Sequence, residues 1–228
     1  MKHILYIAAT MLLCSSCFHV NTNWTGGKNT IKGEGAVISK SFDLKDFDKI
    51  VINGFADATF RQGETFDVTL RTQENIFDRL DYRVEGTTLI IETKDKVTVR
   101  AEEFDLSIQA PALESFTVNG AGDFDIQGGF VSEDNLDILV NGAGDLNLDG
   151  IRCKDLTIEA NGAADIDLSA IDVQKIKIEV NGAGDVNVAG KAESASLEVN
   201  GAGDIDARDL KVAGEVKKRS SGLAKIQL

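Results

Sequence analysis

The sequence predicts an all-β fold: a single-stranded, right-handed parallel β-helix, or solenoid, with coils of about 20 residues behind an irregular N-terminal β region. Two observations carry this. The string Asn-Gly-Ala-Gly-Asp begins at Asn119, Asn141, Asn181 and Asn200, with a near-copy at Asn161, so the steps are 22, 20, 20 and 19 residues. Apolar residues at spacing two flank each copy, as in Ile138/Val140 before and Leu146/Leu148 after, and their parity runs straight through the motif. Val140, Gly142, Gly144, Leu146 and Leu148 then share one face and Asn141, Ala143, Asp145 and Asn147 the other. A bent strand with glycine inside the bend meets that pattern, because a side chain there would collide with closely packed backbone.

In chain order, residues 1–16 read as a lipoprotein signal peptide: Lys2, an apolar run from Ile4 to Leu13, then Ser15-Ser16-Cys17. The run is too short to span a bilayer as a helix. Small residues before Cys17 resemble a bacterial lipobox, although Cys14 stands where that pattern prefers Leu or Val. Cys17 is the expected lipidation site, with ordinary signal cleavage as the alternative. Residues 17–33 read as the lipidated Cys and a polar, flexible tether, and residues 34–228 as one domain. Within the domain, strand alternation appears at Ile50–Ile52, Phe66–Leu70, Leu89–Ile91 and Phe104–Ile108. A hairpin turn is expected at Glu85-Gly86-Thr87 and a short helix at Glu74–Leu80. Asn53-Gly54-Phe55-Ala56-Asp57 reads as a degenerate first copy of the repeat, so the solenoid is expected to begin there and to carry a large insertion after it. Five copies of the motif follow, and a further strand is expected at Ile151/Cys153, Ile171/Val173 and Leu210/Val212. Parallel crossovers favour the right-handed path.

Composition excludes several function classes. Removing the signal leaves 37 acidic residues against 23 Lys and Arg, so the surface repels phosphate backbones and nucleic acid is not an expected partner. The only histidines are His3 and His19, which removes imidazole acid–base or metal chemistry from the domain. Cys153 is the single cysteine after the tether, so no intramolecular disulfide forms. Its place in a column with Val131, Val173 and Val212 marks it as a small core hydrophobe.

Stacking puts Asp123, Asp145, Asp165, Asp185 and Asp204 in one column, with coils ~4.8 Å apart. At that spacing each carboxylate contact costs about 0.9 kcal/mol even in water, so something must relieve it. The favoured relief is local, with each Asp accepting backbone N–H groups at its own glycine bend. The alternative is calcium held between coils along the same five Asp residues. Two details favour the first: the next column alternates as Asp125, Asn147, Asp167, Asn187, Asp206, and Lys225 takes the Asp position in a degenerate last copy. No cofactor is therefore expected, and no metal site is assigned. Asn119, Asn141, Asn161, Asn181 and Asn200 are expected to form an amide ladder, structural first and a binding surface second. Asp145–Gly150 imitates an EF-hand opening, but Leu156 stands where the bidentate Glu belongs. Carboxylate pairs such as Asp123/Asp125 could serve a glycosidase, yet they recur on many coils where a catalytic site would be singular. No residue is assigned a catalytic role.

The Val/Ile-Asn-Gly-Ala-Gly-Asp-apolar-x-apolar repeats, with the lead-in Phe104–Leu113, resemble the putative auto-transporter adhesin, head GIN domain family of bacterial envelope proteins across about residues 42–228. The resemblance implies a β-helix like that of pectin lyases without their catalytic residues, a role in cell adhesion, and a Bacteroidetes-type lipoprotein, in agreement with Cys17. The expected protein is a non-catalytic envelope lipoprotein, by this resemblance anchored in the outer membrane, that binds glycan or protein. The alternatives are a periplasmic structural or envelope-stress protein without extracellular ligand, and a carbohydrate-active enzyme. No acid follows Cys17 in Phe18–Asn23, which leans towards the periplasmic face. The strand edge at Ile226–Leu228 is expected to support self-association through the C-terminal coil.

Overall fold

The alternation of inward apolar and outward polar residues closes into a stack of coils in which each face of one coil lies against the same face of the next. The computed structural model describes residues 30–228; strand makes up 74% and helix 4%, and the stack is a β-solenoid of about five turns with about 21 residues per turn. The signal peptide, Cys17 and most of the expected tether lie outside the described residues.

The described chain starts inside the stretch read as tether. β1 (Thr30–Lys32) already pairs in parallel with β8 (Thr98–Arg100), and Ile31 packs on the core, so the domain begins before Glu34. The β-branched Thr30-Ile31 pair supplies the strand that the polar residues around it obscure. β2 (Val37–Phe42) follows, then β3 (Lys49–Phe55) and β4 (Asp57–Gln62), which form a coil on either side of the degenerate motif.

The expected insertion is present, but it does not sit outside the stack. β5 (Asp67–Gln73), a 3-10 turn at Glu74–Arg79, and β6 (Leu80–Glu85) lead through the Gly86 turn, where φ is +61°, into β7 (Thr88–Thr93) and then β9 (Phe104–Ala110). β7 lies parallel to β3 with Ile50 opposite Leu89, and β9 parallel to β4 with Phe60 opposite Ile108. The insertion therefore builds the coil beneath Lys49–Gln62, and the solenoid begins with it in space rather than with Asn53. Antiparallel strands close that end: β6 pairs with β7, β5 with β9 and β2 with β5. This covers the parallel edge that would otherwise stay open.

Above it the chain climbs without further reordering. β10 (Ser115–Ala121), β11 (Phe124–Ile126) and β12 (Phe130–Val131) form the next coil, followed by β13 (Leu136–Asp149), β14 (Ile151–Ala183), β15 (Val186–Ala202), β16 (Asp204–Val212), β17 (Val216–Gly222) and β18 (Lys225–Gln227). The faces keep register while the corners absorb unequal repeat lengths. Phe124 pairs with Leu146, but after the corner at Gly128-Gly129 (φ +81° and +79°) Phe130 pairs with Ile151, one residue short of the previous offset. A shift between Leu168 and Ile171, with Ala170 at φ +52°, absorbs another residue. The first corner corrects one sequence assignment: Val131 pairs with Arg152, not Cys153, and is 56% exposed.

The core is a set of inward columns, from Phe60, Phe116, Phe124 and Phe130 in the lower coils to Ala192, Ala195 and Ala207 near the top, all buried. Phe116 and Phe124 stack with ring centroids 3.5 Å apart across their coil. At the top, Lys218 and Ser220 of β17 replace the buried Leu197 and Val199 of the coil below, which ends the apolar columns.

The bends bring backbone onto backbone. A Cβ added to Gly142 would lie 1.7 Å from the Gly120 carbonyl oxygen, whereas one added to Gly54 would meet nothing within 4 Å. Both residues sit at positive φ, +150° and +135°. Gly142→Ala should therefore cost about 1–3 kcal/mol more than Gly54→Ala, the overpacking term alone. Urea unfolding midpoints of the two variants measure the difference, and equal losses would show that neighbouring coils slide apart without penalty.

Candidate functional site: an amide and carboxylate ridge

Each glycine bend sends its flanking Asn and Asp outward, and register stacks them into two ladders. Asn119 donates from Nδ2 to Asn53 Oδ1 at 2.8 Å, Asn141 to Asn119 at 2.9 Å, and Asn161, Asn181 and Asn200 each to the Asn below at 3.0 Å. Both ends are terminated: Asn53 donates to Glu92 Oε2, and Ser221 donates its hydroxyl to Asn200 Oδ1. The amide ladder expected from the sequence is thus extended by one rung at each end. Sequence reasoning missed its supporting row. Asn161, Asn181 and Asn200 also donate to Glu159, Glu179 and Glu198, each two residues earlier on the same face. The signal was there, since three consecutive repeats carry Glu two residues before the Asn. Hydrogen bonds from Asn181 and then Lys177 hold the Glu179 carboxyl below its usual range.

The Asp column is relieved by backbone N–H groups, but not those of its own bend. Asp57 Oδ1 accepts from the Asp123 N–H, Asp123 from Asp145, Asp165 from Asp185, Asp185 from Asp204 and Asp204 from Lys225, at 2.8–3.1 Å. The expected local bond is corrected to one between coils, because the extended bend aims each N–H up or down the stack. A charge-assisted bond of this kind joins neighbouring coils as well as stabilising the carboxylate. Beside it, Asn147 donates to Asp125 Oδ1 at 2.8 Å, so the alternating Asp/Asn column also bonds where charge would repel. Lys225 occupies the rung above Asp204, and Arg208 holds Asp206 down to about 2.

Together these residues make one face strongly acidic and repetitive. Among the described residues no three His, Cys, Asp or Glu side chains converge as metal ligands. In the EF-hand-like stretch Leu146, Leu148 and Leu156 are buried core residues. Cys153 is buried near the start of β14 at 5% exposure, and burial pushes its thiol up to about 11.

A solenoid that aligns its bends into an exposed polar ridge is a scaffold for presenting surface. This chain belongs to the family described as putative auto-transporter adhesin, head GIN domain, whose model matches residues 46–171 and 151–228. No curated protein matches the sequence. Among solved structures, a putative adhesin from Bacteroides fragilis is similar at 22% identity and a TM-score of 0.70, covering 86% of this chain and 99% of that one. A putative adhesin from Parabacteroides distasonis has 21% identity and a TM-score of 0.76, over 86% and 84% of the two chains. A structure described as a putative lipid binding protein, also from Parabacteroides distasonis, has 20% identity and a TM-score of 0.74, over 87% and 99%. At these identities the likeness is one of fold. Among the described residues no helix is long and apolar enough to cross a membrane.

Asp145 lies mid-column, and partial desolvation, then the charges of Asp123 and Asp165, raise its pKa. A carboxyl raised in the folded state binds its proton more readily there than in the unfolded chain, so its contribution to stability falls as pH rises through the carboxylate range. Asp145→Asn keeps an acceptor for the inter-coil N–H and should raise the melting midpoint at pH 7, with the advantage vanishing near pH 3. Cys153 should resist thiol reagents in the native protein and react on unfolding, as mass spectrometry of the modified peptide would show. Modification of native protein at pH 8 would contradict the burial.

Proposed function

We propose that this protein is a non-catalytic, lipid-anchored component of the cell envelope whose acidic Asn/Asp ridge binds glycan or protein in cell adhesion. The observation that carries the reading is the ridge itself: identical hydrogen-bonding groups repeat at the coil spacing of ~4.8 Å along an exposed face. Such a surface suits an extended, repetitive ligand better than a compact one. Membership of an adhesin family supports an envelope or surface setting. Recurrence of the same carboxylates on coil after coil supports binding over catalysis, because chemistry needs one site unlike the others. Anchoring through Cys17 rests on Ser15-Ser16-Cys17 following the apolar run.

A second reading, a structural or stress-related role on the periplasmic side, is favoured by one feature: no acid follows Cys17 through Asn23. Protease or antibody access to the domain on intact cells, with lysed cells as control, separates the two. Access on intact cells is the expected outcome for an adhesin; protection until lysis would sink that reading. On purified protein, replacing Asp165, Asp167 and Asp185 by Asn should reduce ligand capture in a glycan or host-protein screen while leaving the coil ladders bonded.

A further inference from the structure

The glycine column ends at a gap. A Cβ on Gly120, Gly142, Gly162, Gly182 or Gly201 would strike a carbonyl oxygen of the preceding coil at 1.7–2.0 Å, yet the same position on Gly54 faces open space. The insertion explains the difference. β7 pairs with β3 only as far as Asn53 opposite Glu92, and the chain then swings out of the stack through Lys94–Lys96 and β8. It returns at Phe104, where β9 meets β4 from Asp57 opposite Asp105 onward. The lowest coil therefore lacks the bend that every later coil lays against its neighbour. In the place of that bend is a cavity of about 340 Å³.

The cavity is lined mainly by apolar side chains. Ile91, Val97, Val99 and Phe104 form its walls with Leu80, and Phe55 stands beside them, 47% exposed and edge-on to Phe104 at 6.5 Å between centroids. Polar lining residues are few: Asn53, Glu92, Thr93 and Thr98. Asn53 and Arg83 both donate to Glu92, at 3.1 and 2.7 Å, which fixes that wall. A concave, mainly apolar pocket with a small number of polar groups is the usual form of a small-molecule site.

We propose that this cavity binds an uncharged amphiphile, an alkyl or aryl group of about ten carbons ending in a hydroxyl or amide. The size follows from the volume, at roughly the 30 Å³ per heavy atom that liquid water occupies. The head group follows from charge. An anionic head would meet the Glu92 carboxylate in a domain of strong negative charge, whereas a neutral donor–acceptor head matches Asn53 and the two threonines. The site abuts the lowest rung of the amide ladder at Asn53 and does not depend on the adhesion reading.

The test is a fluorescence titration of the full chain with 1-naphthylamine, an uncharged ten-carbon aryl amine, and its displacement by 1-decanol and by decanoate. Saturable binding, displaced about tenfold better by decanol than by decanoate, is the expected result. Ala121 lines the cavity and is in register with Ala143 one coil up, which does not. Ala121→Trp should abolish probe binding while Ala143→Trp retains it, with matching melting midpoints showing that both variants fold. No saturable binding by the unaltered chain, retention in Ala121→Trp, or equal loss in both variants would overturn the proposal. Equal displacement by decanoate would overturn the assignment of a neutral head.

Discussion

The structure depends on a close approach of backbone to backbone at the bends. With Gly120 seated over the Gly54 carbonyl, Gly142 over Gly120, and so on up the stack, there is no room between coils for even a methyl group. Only glycine fits there and adopts the positive φ the bend requires. That approach brings the flanking Asn and Asp of successive coils within hydrogen-bonding distance. The amide ladder and the carboxylate-to-N–H ladder are consequences of it, and in return they hold the glycines in register. Where the motif carries Ala at the second glycine position, as at Ala56 and Ala164, the methyl group is buried and φ stays in the ordinary range. The first glycine of the pair is therefore the stricter requirement.

The interior follows the same geometry with less rigidity. Coil lengths shorten from 22 to 19 residues along the motif series as the core residues shrink from phenylalanine to alanine. Extra residues are taken up at corners, where glycine or a positive-φ alanine can accommodate them, so the ladders are not disturbed. The charged exterior tolerates ten-odd stacked carboxylates because they are largely exposed, bonded to N–H groups or interleaved with amides. Mid-column at Asp145, desolvation and then the charges of Asp123 and Asp165 leave a raised carboxyl.

Much of this was legible in the sequence, and for a physical reason. The period of the motif and the parity of its flanks report directly on a coil and its inward face, so the core columns, the Asn ladder and the acidic face could be read residue by residue. The N-terminal end could not. β7 and β9 carry no motif, and their pairing with β3 and β4 is set by tertiary contacts across a chain reversal that leaves no periodic trace. The Asp bonds read as local from sequence alone, because spacing along the chain says nothing of where an extended N–H points. Val131 was placed by counting from the motif, which fails once a corner has absorbed a residue. The cavity beside Phe55 was invisible for the same reason as the coil that creates it.

The order of the coils makes the two ends of the molecule unequal in their capacity for evolutionary growth. From β13 upward each coil contacts only the ones before and after it in sequence, so a tandem duplication of one repeat adds a rung to both ladders and lengthens the ridge by ~4.8 Å. At the other end the Lys49–Gln62 coil is held between two segments that follow it in the chain. A repeat added there would have to part strands that are already paired. The N-terminal cap is thus a fixed foundation, and added coils fit only above it.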